Sequence, residues 1–400
     1  MEAIILDGHL KSALAATRSL GEKGIRVNCA AERKSAMSLH SCFCAQDFIY
    51  PSPVKNRQAF IETLVEFAKK VGGKPLVYSF SDETFLPISD EREKLEKYVT
   101  LVLSDKKNID LAFNKAKTLS LAKKLNVPHT NYYEVENLND IKKISKKLSY
   151  PAVIKPKHSC VWKGNIGVKG TASYAFTPVE LIEKAKEIYK KTGLWPLVQD
   201  FIMGEEYGIE MLCQEGEIVA ISAHKRIRSL NPTGGAAVVK EKIFDDENSR
   251  AMEEYAKRFL KELTWNGVIM FEFKMDKKEK NLKLLEINGR FWGSLPLAIF
   301  SGVDFPYLFF QQAQGDFVGK KNEVVQSQNK IMSRHLLGDT HNLLLVFFKN
   351  DKMRKIVYLK RIKAFKEFFA LHKNQKYDVF SLSDPKPFLF EVIDIVKRKL

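Results

Sequence analysis

The chain has 400 residues, 45% of them hydrophobic, which is enough for roughly two to three domains with real cores. Lys and Arg outnumber Asp and Glu by 65 to 48, a net charge of +17, so an anionic partner is expected, although charge alone does not choose among ATP, acidic metabolites, phospholipid-linked intermediates and RNA. Five cysteines do not make a disulfide framework, and Cys42 and Cys44 beside His40 are a poor zinc pattern; buried free thiols in a reducing, cytoplasmic compartment are expected.

The first segment, Ala3-Ile-Ile-Leu-Asp-Gly8, reads as a buried strand with no secretory signal before it. An amphipathic helix from about Lys11 to Lys23 follows, then a strand at Gly24-Ile-Arg-Val-Asn28, and this strand, helix, strand order implies a parallel sheet. Phe60 to Lys70 reads as a helix and Leu76 to Phe80 as a third strand. Ser81-Asp82-Glu83 stands at that strand's carboxyl end, where open sheets collect ligands, but the acids also suit the first turn of a helix, and that reading is preferred.

Lys115 to Leu125 and Asn139 to Leu148 are helical. Tyr150-Pro-Ala-Val-Ile-Lys155 then places a lysine at the end of a short apolar strand, and Val161-Trp-Lys-Gly164-Asn-Ile-Gly167-Val-Lys-Gly170 follows as a glycine-rich loop. Glycines let backbone N–H groups approach an anion, and Lys163 and Lys169 add charge, though any hairpin turn can be rich in glycine. Leu197 to Glu210 is a strand running into a turn. In Ser222 to Ala236 the basic residues Arg226 and Arg228 precede the pair Gly234-Gly235, and arginine binds carboxylate or phosphate bidentately. His224 reads first as a structural histidine.

Arg250 to Leu263 is a helix, and two strand-like runs follow it. Gly267 to Asp276 carries Glu272 among apolar residues, and Leu282 to Ser294 carries Glu286, Asn288 and Arg290 at alternate positions, which share one face of a strand. Lys277 to Asn281 is polar, so the runs form an antiparallel hairpin that brings Glu272 beside Glu286, with Asp276 in the turn. Two adjacent carboxylates repel unless a cation sits between them. A carboxylate, an amide oxygen and a guanidinium projecting together suit Mg²⁺ and phosphate oxygens.

The order of these elements resembles the ATP-grasp superfamily, which includes D-alanine–D-alanine ligase, biotin carboxylase and carbamoyl phosphate synthetase, over roughly residues 1–310. The resemblance implies an α/β and α+β chain: a Rossmann-like preATP-grasp domain at 1–110, a two-lobed ATP-grasp domain at 111–315 with lobes of about 111–199 and 200–315, and a basic C-terminal extension at 316–400. It implies that Lys115 and Lys155 contact nucleotide phosphates, that the loop bearing Lys163, Gly164 and Gly167 closes over them, that Gln199, Asp200, Phe201 and Ile202 line adenine, and that Glu206 holds the ribose. Glu272, Glu286 and Asn288 would hold Mg²⁺ or Mn²⁺. Two departures stand out: Gln199 replaces a glutamate common among relatives, and the phosphate loop lacks the usual serine.

The activity so implied is an ATP-dependent carboxylate–amine ligase that forms an amide or peptide-type bond through an acylphosphate, with Arg290, Arg226 and Arg228 on the substrate side. The alternatives are an ATP-grasp phosphotransferase and a degenerate fold that binds polyanions or membranes. Nucleic acid is not expected as a partner, because Glu206, Glu272 and Glu286 lie in the segments that should form the cleft. A homodimer is left open. The C-terminal run Lys349 to Lys373 interleaves basic and aromatic residues; packing is its default role, with peripheral membrane contact as the alternative. His341 to Phe348 and Leu295 to Phe310 are too short or too interrupted to span a bilayer, and Phe388 to Lys399 reads as a closing helix.

Overall fold

The computed structural model describes residues 1–315, 324–370 and 372–399. Four strands, β1 (Ala3–Ile5), β2 (Val27–Ala31), β3 (Cys44–Ile49) and β4 (Leu76–Tyr78), form a parallel sheet in the order β3-β2-β1-β4. β1, β2 and β4 are short and wholly buried because helices cover them, whereas the edge strand β3 carries Gln46 and Asp47 and is largely exposed. The helices Lys11–Glu22 and Arg57–Val71 carry the crossovers. Ser81 caps the helix Asp82–Asp90 by accepting from the Thr84 amide, so Asp82 does occupy a first helical turn.

A second sheet of four antiparallel-paired strands runs β5-β10-β6-β9, from β5 (Tyr132–Glu134), β6 (Ala152–Lys155), β9 (Ser173–Ala175) and β10 (Leu197–Asp200). Between β6 and β9 a separate hairpin, β7 (Cys160–Lys163) and β8 (Ile166–Lys169), contains the glycine-rich loop.

The largest sheet has seven strands in the order β15-β14-β11-β12-β13-β16-β17: β11 (Glu206–Gln214), β12 (Glu217–Asn231), β13 (Gly234–Ile243), β14 (Gly267–Asp276), β15 (Asn281–Asn288), β16 (Met332–Arg334) and β17 (Gln375–Tyr377). Helix Glu247–Leu263 packs its apolar stripe, Met252, Ala256, Phe259, Leu260 and Leu263, on one face of this sheet. The other face buries Leu212, Val268 and Met270 against the N-terminal unit and helix Phe305–Ala313 and bears the cleft beyond them. Asp276 is the last residue of β14, paired with Asn281, and its side chain accepts from the Lys278 amide of the following turn at 2.9 Å.

The C-terminal segment is woven into the same sheet. Residues 316–323, at the expected start of the extension, lie outside the described residues, but β16 and β17 add two strands beyond β13. Asp378, just after β17, is buried between Lys11 Nζ at 2.7 Å and Lys240 Nζ at 2.5 Å. One carboxylate thereby joins the N-terminal helix, the central sheet and the C-terminal segment. All five cysteines are free, and among the described residues no helix is long and apolar enough to cross a membrane.

Candidate functional site

Because side chains alternate across a strand, register decides what faces the cleft. Pairing of β15 with β14, β14 with β11, β11 with β12 and β12 with β13 lines up Glu286, Glu272, Gly208, His224 and Lys242 in one cross-strand row. Beside it runs Lys274, Glu206, Arg226 and Lys240. Opposite this face stand Val153 and Lys155 of β6 and Gln199 of β10. The space between the sheets is a cleft of about 630 Å³.

Lys115 enters from the start of helix Lys115–Lys124, where Asn114 caps the helix by accepting from the Ala116 and Lys117 amides. Its ammonium lies 3.5 Å from Glu286 Oε2 and donates to Ser159 Oγ at 3.1 Å. Arg226 Nη1 donates to Glu206 Oε2 at 2.5 Å and to the Gly235 carbonyl at 2.9 Å, while Nη2 reaches Glu272 Oε2 at 3.4 Å. Lys274 takes the other oxygen of Glu206 at 3.1 Å. Asn288 Nδ2 donates to Glu272 Oε1 at 3.3 Å, and its Oδ1 accepts from Arg290 Nη2 at 3.3 Å. Arg290 Nε donates to Asp82 Oδ1 at 2.6 Å, which ties the end of β15 to the parallel-sheet unit.

Charge in the cleft alternates, and the carboxylates feel it differently. Burial raises both, but Lys115 and Lys155 outweigh it at Glu286 and hold that carboxyl at about 2. Glu272 ends above the ordinary range, because burial and its neighbours Glu286 and Glu206 outweigh Arg226. A buried carboxylate short of positive charge beside an ionised one fits a cation. Burial also lowers Lys155, helped by Lys115 and opposed by Glu286, Glu272 and Glu206.

Most residues singled out from sequence meet here: Lys115, Lys155, Gln199, Asp200, Phe201, Ile202, Glu206, Arg226, Glu272, Glu286, Asn288 and Arg290 all line the cleft. Gln199 is buried, its Nε2 donating to Thr130 Oγ1 at 2.8 Å, and Asp200 accepts from Asn131 at 2.8 Å. Glu206 has both oxygens engaged by Arg226 and Lys274.

Four expected residues are placed elsewhere. Lys163, Gly164 and Gly167 belong to the β7–β8 hairpin, which leans on the N-terminal unit: the Gly167 amide donates to the Val54 carbonyl at 2.8 Å, and the Arg57 amide donates to Asn165 O at 3.0 Å. Lys163 Nζ donates to the Lys191 carbonyl at 3.1 Å. Only the hairpin's exit, Gly170, Thr171 and Ala172, reaches the cleft. Arg228 is bound to Asp339 at 2.7 and 2.9 Å, because register irregularities between Arg226 and Ser229 take it off the cleft face.

Sequence reasoning missed other lining residues. Trp292 and Ser294 lie in the irregular segment after β15, where no strand period marks them. Ser294 Oγ donates to Glu210 Oε1 at 2.8 Å, and the same oxygen lies 2.6 Å from His224 Nδ1 without hydrogen-bond geometry, so a buried carboxylate sits beside the imidazole on the cleft wall. Trp292 Nε1 and Arg226 Nε are buried donors with no hydrogen-bond partner among the described residues, available to an oxygen-rich ligand. A second cavity, of about 580 Å³, lies against helix Glu247–Leu263; on its wall Arg250 pairs with Asp245 at 2.9 Å and Lys257 with Glu253 at 2.6 Å, while Lys242 Nζ donates to Ser222 Oγ at 3.2 Å.

Residues 195–337 match the family described as ATP-grasp in the biosynthetic pathway with Ter operon. The carbamoyl phosphate synthase large chain of Pyrococcus furiosus is 27% identical over 210 residues, covering 52% of this chain and 19% of that protein. The chain therefore spans about a fifth of that relative's length. Among solved structures, the biotin carboxylase domain of Hydrogenobacter thermophilus 2-oxoglutarate carboxylase, in complex with MgADP, ADP and bicarbonate, superposes with a TM-score of 0.64 at 16% identity over 83% of this chain and 73% of that one. The L-amino acid ligase of Bacillus licheniformis gives 0.61 at 17% identity over 83% and 79%. At these identities the structural likeness speaks for the fold.

Proposed function

We propose that the chain is an ATP-grasp enzyme, a reading supported by the family match and the structural likeness, whose cleft binds ATP with Mg²⁺ or Mn²⁺ and joins a carboxylate to an amine, releasing ADP and phosphate. The observation that carries this reading is the register pair Glu272 and Glu286 with Asn288 on one strand face, opposite Lys155 and beside Lys115. Among the described residues no cluster of three or more His, Cys, Asp or Glu side chains could hold a metal. Two carboxylates and an amide therefore suit an ion that completes its shell with phosphate oxygens and water, as Mg²⁺ does. When bound, that ion would supply positive charge to the phosphate chain.

The protein's own groups do the rest. Lys115 and Lys155 donate to phosphate oxygens, and both stand close enough to Glu286 to be held at the metal end of the cleft. Gln199 to Ile202, which line the cleft, would take adenine, and Glu206 the ribose. Arg290, oriented by Asp82, offers its guanidinium to the carboxylate that becomes an acylphosphate, and stabilises charge that develops there. Arg226 and the orphaned donor of Trp292 flank the same region. His224, whose Nδ1 lies 2.6 Å from Glu210 Oε1, would take the proton of an attacking amine. No covalent enzyme intermediate is required.

The reading is supported by the kinds of reaction named for its relatives, a carbamoyl phosphate synthase and an amino acid ligase. A screen of carboxylate and amine pairs for ADP formation, with mass detection of products, tests it. A condensed product formed only when both partners are present is expected. A stable phosphorylated product in place of a condensed one would make the protein a phosphotransferase, and ADP formation indifferent to any added carboxylate would overturn the mechanism.

A further inference from the structure

The helix Arg361–Phe369 has two unlike faces. On one, Ala364 is buried, Glu367 reaches Arg228 at 3.6 Å, and the Phe368 ring lies 4.3 Å from the Arg334 guanidinium. That face fixes the helix to the body. On the other, Ile362, Phe365 and Phe369, spaced three and four apart, are 74%, 50% and 61% exposed. The Phe365 and Phe369 rings touch, with centroids 4.7 Å apart, so the ridge is continuous. Helix Leu336–Phe348, which packs against it, adds Phe348, 79% exposed, and the half-exposed Leu344.

Charge surrounds this ridge on the same segment. Residues 349–373 hold nine Lys and Arg against Asp351 and Glu367, an excess of seven. Among the described residues Lys355, Lys360, Arg361 and Lys366 make no ion pair with the protein's own carboxylates. Soluble surfaces seldom cluster large apolar side chains among unpaired cations.

We propose that this face is a docking surface for an anionic lipid bilayer, with the helix lying in the headgroup plane, its aromatic ridge inserted and its lysines against lipid phosphates and carboxylates. The charge decides the occupant. A second copy apposed through the same face would bring two sets of excess cations together, whereas anionic lipid satisfies them while taking up Ile362, Phe365 and Phe369. A single-stranded nucleic acid would match the charge and could stack on phenylalanine, but Ile362 and Leu344 offer no ring to stack on. The inference is independent of the cleft: it stands or falls whatever reaction the protein performs.

Co-sedimentation of the full chain with phosphatidylcholine vesicles, with and without phosphatidylserine, tests it. Binding to the phosphatidylserine vesicles alone, weakening as salt is raised, is expected. Lys360→Glu with Lys366→Glu should weaken it about tenfold or more. Phe365→Ser should weaken it as well, and because all three side chains are exposed, unchanged thermal melting will show that these proteins are folded. A Phe365→Trp protein supplies a positive readout, a blue shift in emission on adding the anionic vesicles. Failure of the wild-type protein to sediment with them, variants that bind as the wild type does, or tighter binding to single-stranded RNA that Phe365→Ser leaves intact would each overturn the proposal.

Discussion

Arg290, two residues past β15, and Asp82 at the start of helix Asp82–Asp90 form a largely buried ion pair at 2.6 Å that links the largest sheet to the N-terminal parallel-sheet unit. Burial opposes ionisation of Asp82, but Arg290 and Lys115 more than offset it and hold the carboxyl below its usual range. The same acid that begins a helix thus also aims the guanidinium into the cleft. Asp82→Asn keeps the size and removes the charge, so it should cost about 1.5–3 kcal/mol in denaturant unfolding. If Arg290 acts on the reacting carboxylate, ADP formation by this variant should fall in kcat more than in apparent affinity for ATP. An effect confined to ATP affinity would count against that role.

Glu286 lies between the strand hairpin and both cleft lysines, so its charge serves metal and phosphate together. Glu286→Gln should lose MgADP-induced thermal stabilisation and reduce ADP formation by on the order of a hundredfold or more. Glu272→Gln should do the same. Removing divalent metal with a chelator should mimic both in the wild-type protein and add nothing to either variant. Full turnover by Glu286→Gln would sink the metal-site assignment.

How much of this site could be read in advance depended on periodicity. Glu286 and Asn288 were legible because alternate positions of a strand share a face, and the polar turn after Asp276 brought the Glu272 and Glu286 strands together, but the exact pairing of the two carboxylates also needs a register shift beside Leu284 that no sequence pattern announces. Arg228 was not, since the register irregularity after Arg226 is invisible in a run of basic and apolar residues. The hairpin of Lys163 and Gly167 was seen as a loop, but its destination is set by Val54 and Arg57, more than a hundred residues earlier. β16 and β17 have three residues each, too few to show any pattern, and they are recognised only by the strands they join.

Gly208 is the gap in the row between Glu272 and His224, and the gap is needed. A Cβ there would stand 2.4 Å from His224 Cε1 and 3.0 Å from Nδ1. Gly208→Ala must therefore push the imidazole off Glu210, at a cost of about 1–3 kcal/mol of stability from overpacking. If His224 takes the proton of the amine, Gly208→Ala and His224→Asn should both slow product formation while leaving MgADP stabilisation of the fold close to that of the wild type. Loss of nucleotide binding in His224→Asn would assign the histidine to the nucleotide instead.

Asp378 meets two ammonium groups, Lys11 and Lys240, and also accepts from Ser333 Oγ at 2.8 Å. One carboxylate cannot neutralise two cations, and the surplus falls on Lys240, which burial lowers to about 7 against the partial opposition of Asp378. Removing different members should then have opposite consequences. Asp378→Ala leaves two buried cations without a counter-charge and should cost about 3–5 kcal/mol, whereas Lys240→Met keeps the Lys11 pair, discards the surplus charge and should be neutral or stabilising. The pH dependence follows the same logic. An unfolded lysine holds its proton up to about 10.5, so between pH 7 and that value the unfolded chain binds more protons than the folded one at this site, and stability gains with rising pH. Below pH 7 both states are protonated and this gain vanishes. Asp378 acts at the other end: burial raises its carboxyl, but Lys11 and Lys240 bring it well below 3.8, so its stabilisation is full above 3.8 and is lost as the pH falls from there through the lower value it has in the folded protein. Urea unfolding at pH 7 and at about pH 9.5 should therefore show a gain in the wild-type protein that is reduced in Lys240→Met. Equal gains in the two proteins would mean that Lys240 keeps its proton throughout the range.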